Sequence, residues 1–173
     1  MLEGRLVLQH NKKAYDLWNQ DLAGNLVKAD RNWPGLVEKN GVSGKMLLNL
    51  DGKGVALGGN DPLSYFAGAK PVKGDPSHMA TYNGAIYHFA TEENRATFEQ
   101  EPARYAPAFG GYCGYGASLN KVVDVQLDVY GIVDGRLVLQ HSRKTLELFD
   151  KDQKASLAKA DANWPGLVEK NGK

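Results

Sequence analysis

The sequence predicts an α+β fold: a small mixed or antiparallel sheet with one hairpin, several helices, and a strand–helix tail that occurs twice. Three observations carry that expectation. Asn83-Gly84 sits between two short runs, Met79–Tyr82 and Ala85–Phe89, and is a preferred dipeptide of the two-residue hairpin turn. Segments with apolar residues three and four apart are interspersed with such runs, so helices and strands are mixed along the chain. The decapeptide NWPGLVEKNG stands at Asn32–Gly41 and again at Asn163–Gly172.

The decapeptide belongs to a longer duplication. Gly4–Gly41 aligns without gaps on Gly135–Gly172 at an offset of 131, with 24 of 38 positions identical. The period then brackets one complete domain at 42–173. Residues 1–41 read as the C-terminal tail of a preceding unit. The expectation is a parent protein with at least two such domains in tandem.

Each copy reads locally as a strand followed by a helix. The run RLVLQH follows an acidic residue and glycine, as a strand follows a turn. Asn11 or Ser142 then caps about twenty residues of helical pattern. Tyr15, Trp18, Leu22, Leu26, Ala29 and Trp33 step by three or four and draw one apolar stripe. The second copy keeps Leu146, Phe149, Leu157, Ala160 and Trp164. Pro34 and Pro165 are expected to end the helices, since proline donates no N–H and restricts the residue before it. A stripe so apolar needs a partner surface, because each large side chain buried gains roughly 1.5–3 kcal/mol. For residues 1–41 that surface is the complete domain or a second chain, which makes a homodimer through the 1–41 helix one expected outcome.

Within the complete unit, Met46–Leu50 reads as a strand and Asp51-Gly52 as a turn. Asp61-Pro62 is an N-cap followed by proline at the first helical position, opening a short turn through Phe66. Lys70–His78 reads as loop. Thr91 caps a helix over Glu92–Gln100, with Ala96 and Phe98 facing inward. Pro102 starts a helical turn through Tyr105.

Composition excludes several classes. The 173 residues carry a net charge of +1 and a pI near 7.8, which gives no global electrostatic reason to expect nucleic acid as a partner. There is one cysteine, Cys113, so neither an intrachain disulfide nor a multi-thiolate zinc site is available. No apolar run approaches the roughly 18 residues of a membrane span. The first ten residues lack the basic and long apolar regions of a signal peptide, so an exported protein would have its signal outside this chain.

Three blocks now carry a resemblance: DPLSYF at Asp61–Phe66, YNGAIYHFATEENRATFEQEPARYAPAFGGYC at Tyr82–Cys113, and the tail beginning VDGRLVLQHSRK. Together they resemble bacterial YHS-domain proteins over most of Val42–Pro165, and residues 1–41 resemble the tail of the same family. The resemblance implies a periplasmic or secreted setting. It also implies a comparison with short YHS modules that hold metal through cysteines. Those place one cysteine in an Asp-Pro-Val-Cys-like turn and another after Tyr-Tyr-Phe. Here the positions read Asp61-Pro62-Leu63-Ser64 and Tyr87-His88-Phe89-Ala90, so neither thiolate is present.

Cys113, in Gly-Gly-Tyr-Cys-Gly-Tyr-Gly, is the residue of widest chemical scope. Tyr112 and Tyr115 are candidates to wall a ligand pocket around it, with Tyr87 a further lining candidate. It reads either as a reactive thiol or metal ligand, or as a small buried residue in a tight turn. His88 and His78 are the candidate co-ligands for copper or another transition metal. His88 should point away from the face shared by Tyr87 and Phe89, because side chains alternate along a strand. Neither a dinucleotide fingerprint nor a phosphate loop occurs. The resulting expectation is a non-catalytic, exported, tandem binding domain for a small ligand or a protein. A metal-handling protein is the alternative; an enzyme has the least support.

Overall fold

The computed structural model describes residues 11–29, 44–68 and 70–173. The chain divides into two compact units, Met1–Gly44 and Lys45–Lys173.

In the first unit, helix α1 spans Lys12–Asn19 and helix α2 residues 22–29. Asn11 caps α1 by accepting the Ala14 N–H at 2.9 Å. Trp18 is half-buried and Leu26 buried, while Tyr15 and Leu22 of the expected stripe are exposed. Trp33 and Pro34 lie outside the described residues.

The second unit contains two antiparallel two-stranded sheets. Strands β1 (Asp75–Tyr82) and β2 (Ala85–Phe89) form the first, and β3 (Gln126–Val133) and β4 (Arg136–Gln140) the second. Both hairpins turn on two residues with positive φ, Asn83-Gly84 and Asp134-Gly135. Within this unit the strands alternate along the chain with helices α3 (Glu92–Gln100), α4 (Pro102–Tyr105), α5 (Gly114–Ser118), α6 (Arg143–Asp150) and α7 (Gln153–Asn171). The arrangement is α+β.

β4 divides two cores. Alternation sends Leu137 and Leu139 into a core with Tyr65, Tyr87, Phe89 and Phe98. Val138, between them, enters a second core with Phe109, Phe149, Leu157, Ala160 and Leu167. The repeated RLVLQ strand is therefore the wall shared by the hairpin core and the helical core.

Several local expectations need correction. Met46–Leu50 is not a strand beyond a single bridge from Leu50 to Ala56; its backbone bonds instead to Lys173 through Met46 and to Gly110 through Asn49. β1 begins at Asp75, inside the expected loop, with an irregularity between Asp75 and Met79. Pro76 is tolerated there because it lies at the beginning of a strand. Ala96 is exposed, and Phe98 alone anchors α3 in the core. The long helix of each copy is broken at the same aspartate. Asp152 caps α7 by accepting the Ala155 N–H, and its counterpart Asp21 accepts the Gly24 N–H. Pro165 does not end its helix. α7 continues to Asn171 because Leu167 is buried in the helical core beyond the proline.

Candidate functional site

Asp61 organises the region around Ser64 and Ala90. Its carboxylate is fully buried. One oxygen accepts the Leu63 N–H at 2.8 Å and caps the 3-10 turn Pro62–Tyr65. The other accepts the Ala90 N–H at 2.8 Å and the Asn94 side-chain amide at 2.7 Å. Asp61 thus ties the start of that turn to the end of β2 and to α3. Ser64 donates its hydroxyl to the Asp61 carbonyl at 2.6 Å and accepts the Val72 N–H. Ser64 and Ala90 both border this hub, Ser64 through its bond to the Asp61 carbonyl and Ala90 through its N–H on the carboxylate.

A cleft of about 460 Å³ opens elsewhere on the same unit. Tyr82, Asn83 and Tyr87 of the β-hairpin line one side. Leu47, Leu48 and Pro107–Gly110 line a second, and Asp161, Trp164, Pro165 and Val168 of α7 a third. The wall near Phe109 depends on backbone geometry. Phe109, Gly110 and Gly111 all have positive φ, and Gly110 lies so close to Leu47 that an added Cβ would sit 1.9 Å from the Leu47 carbonyl oxygen. Trp164 meets the Phe109 ring edge-on, with centroids 5.6 Å apart. The Arg136 guanidinium lies over Phe109, 5.1 Å from its centroid, and contacts both Asp161 oxygens at 2.9 Å. Lys45 pairs with Glu169 at 2.7 Å. The charged side chains that line the cleft are paired, and Tyr82, Tyr87, Phe109 and Trp164 are among its lining residues. Burial pushes the Tyr87 hydroxyl up to about 12, with the neighbouring Tyr82 adding to the effect.

Of the four expected pocket residues, Tyr87 lines this cleft. Tyr112, Cys113 and Tyr115 are not among its lining residues. Cys113 is 1 % exposed and caps α5. Its sulfur lies 3.3 Å from the Gly116 and His141 backbone nitrogens, whose N–H groups it accepts, and its thiol donates to Gln140 Oε1 at 3.2 Å. Gln140 Oε1 also accepts the Tyr115 N–H at 3.1 Å, and its Nε2 is buried without a partner. Tyr112 donates its hydroxyl to the Leu48 carbonyl at 3.5 Å; burial first, then Asp124, raises its pKa. The surroundings of Cys113 are a packed capping network.

His88 points to the face opposite Tyr87 and Phe89 and packs beside Gly59, where a Cβ would lie 3.2 Å from Nδ1. His78 Nδ1 is buried without a hydrogen-bond partner. Among the described residues, no group of three or more His, Cys, Asp and Glu side chains is arranged to hold a metal ion. The cleft has no local signature because its lining comes from five separated stretches of the chain. The one local signal is Trp164 of the apolar stripe, retained in both copies, which packs against the helical core and also lines the cleft.

The YHS domain family model matches residues 63–109, from the 3-10 turn after Asp61 to Phe109 in the cleft wall. No curated protein and no solved structure matches the chain. Among the described residues, no helix is long and apolar enough to cross a membrane.

Proposed function

We propose that this protein is a non-catalytic binding domain of YHS type, exported as part of a tandem array, whose cleft receives a small apolar ligand or an apolar side chain of a protein partner. The cleft carries this reading. Its lining sets apolar residues, Leu47, Phe109, Trp164 and Val168 among them, beside polar groups, the combination that small-molecule sites use. The neighbouring charges are already neutralised in pairs, which disfavours a highly charged ligand. Cys113 is packed away from the cleft lining, so the most reactive side-chain type in the chain has no role there.

The test is a fluorescence titration with 1-anilinonaphthalene-8-sulfonate. Binding should be saturable, should weaken at least tenfold in Trp164→Ala, and should disappear in Ala106→Trp, which fills the cleft. Equal binding by all three proteins would overturn the assignment. The YHS match is also consistent with a metal-associated domain, so metal content of untagged protein is the counter-measurement. Stoichiometric metal that is lost in Cys113→Ala would replace the small-ligand reading with a metal-handling one.

A further inference from the structure

The duplicated segment is duplicated most faithfully where it touches the fold. Eight residues of 135–172 are buried: Leu137–Gln140, Phe149, Leu157, Ala160 and Leu167. Seven have identical counterparts in 4–41, and the eighth exchanges Phe149 for Trp18. The other thirteen differences fall on half-buried or exposed positions. The side chains that bond this segment to the rest of its unit follow the same rule. Gln140 accepts from Tyr115, His141 reaches the Asp124 carbonyl, Asn163 donates to Ala117 and Ser118, and Glu169 pairs with Lys45. All four recur, as Gln9, His10, Asn32 and Glu38, and Trp33 repeats the Trp164 that meets Phe109.

Chain geometry allows either copy to be used. At the end of the seated copy, Lys173 and Met46 exchange two backbone hydrogen bonds, of 3.0 and 2.9 Å. At the offset of 131, the counterpart of Lys173 is Val42. A chain with Val42 in that place would need only Ser43-Gly44-Lys45 to turn back to Met46. That is a three-residue hairpin loop containing glycine, a common connection.

We propose that 4–41 and 135–172 are alternative occupants of one seat on the 45–133 body, so that the domain closes with either copy and releases the other. Residents of such similar contact sets are nearly isoenergetic. The wider Trp18 overfills the Phe149 socket, where the Phe149 ring already lies 3.3 Å from a Cβ position on Gly114, so 135–172 is the favoured resident. Release of a copy exposes its apolar stripe, and a tandem neighbour with an empty seat is the chemistry that stripe fits.

Hydrogen exchange on the full chain tests this, because 4–31 and 135–162 differ enough in sequence for their peptides to be told apart. Phe149→Ala should lower protection of 143–162 at least tenfold and raise that of 4–31 at least tenfold, while β1, β2 and α3 keep theirs. Adding Trp18→Ala should abolish the gain. Joint loss of protection across the body and 143–162, with no gain in 4–31, overturns the proposal; so does an unchanged pattern. A second variant leaves the Phe149 socket intact. Gln9→Cys, oxidised with diamide, should form a disulfide to Cys113 within the monomer, matched by Gln140→Cys as positive control. Linkage by the control alone overturns the proposal, and linkage only in dimers places the exchange between molecules and overturns the same-chain form.

Discussion

Asp61→Ala strands three N–H donors at once: those of Leu63 and Ala90 and the Asn94 amide. The two backbone donors have no freedom to find other partners, whereas the half-buried Asn94 side chain can turn toward water. Each buried donor left unpaired costs about 1–3 kcal/mol. Two of them set the expected loss at roughly 4 kcal/mol, which corresponds to a fall in Tm of about 12–20 °C for a unit of this size. Asp61→Asn separates geometry from volume. The amide keeps one oxygen for Leu63, and Asn94 can rotate to offer its own oxygen to the new amide. The Ala90 N–H is then the single orphan, and the loss should be near 2 kcal/mol. Urea unfolding at pH 7 measures both variants, with the slope checked for an unchanged transition. A loss within about 0.5 kcal/mol of wild type for Asp61→Ala, or an Asn variant less stable than the Ala variant, would refute the reasoning.

Gly110→Ala forces a side chain into a backbone with φ +56° and against the Leu47 carbonyl; unfolding should be at least roughly 3 kcal/mol easier, with probe binding in the cleft lost alongside. Tyr87 ionises in the folded protein only near pH 12, whereas an unfolded tyrosine ionises near 10. Its contribution is therefore complete below pH 10 and declines as pH rises toward 12, by at most roughly 3 kcal/mol. Tyr87→Phe should flatten that part of a stability-versus-pH curve, and an unchanged slope would show that Tyr87 is not the group responsible. Arg136→Ala removes a partly exposed ion pair and a ring contact, so urea unfolding should register a loss of only about 1 kcal/mol or less; a much larger loss would mean Arg136 bears more of the fold than its contacts indicate.

Local chemistry made much of the fold legible. Asn83-Gly84 specified its hairpin because few residues adopt two successive positive φ values, and Thr91 and Ser142 specified helix starts through their side-chain oxygens. What could not be read depends on distant partners. Asp61 looked like a helix cap and is one, but its bonds to residues 29 and 33 positions away have no local signature. Local propensity makes Pro165 a helix end; the burial of Leu167 beyond it, a contact with distant residues, carries the helix on to Asn171. In the first copy the break at Asp21 has no signature, because apolar spacing continues across it from Trp18 to Leu22 and Leu26; in the second, Gln153 interrupts the spacing beside Asp152. At the candidate site, the glycines flanking Cys113 suggested a cavity. Gly114 instead lets Val138, Gln140 and Phe149 close in, since a Cβ there would lie 2.4 Å from Val138.

The seclusion of Cys113 makes it a clock. Its sulfur is buried and already engaged by two backbone N–H groups and Gln140, so a thiol reagent in solution must wait for the strand β4 and the start of α5 to part. When closing outpaces labelling, the observed rate is the intrinsic thiol rate multiplied by the fraction of time the segment stands open. The chain's lone cysteine thus measures, without any engineered label, how often the boundary between the repeated tail and the body comes apart.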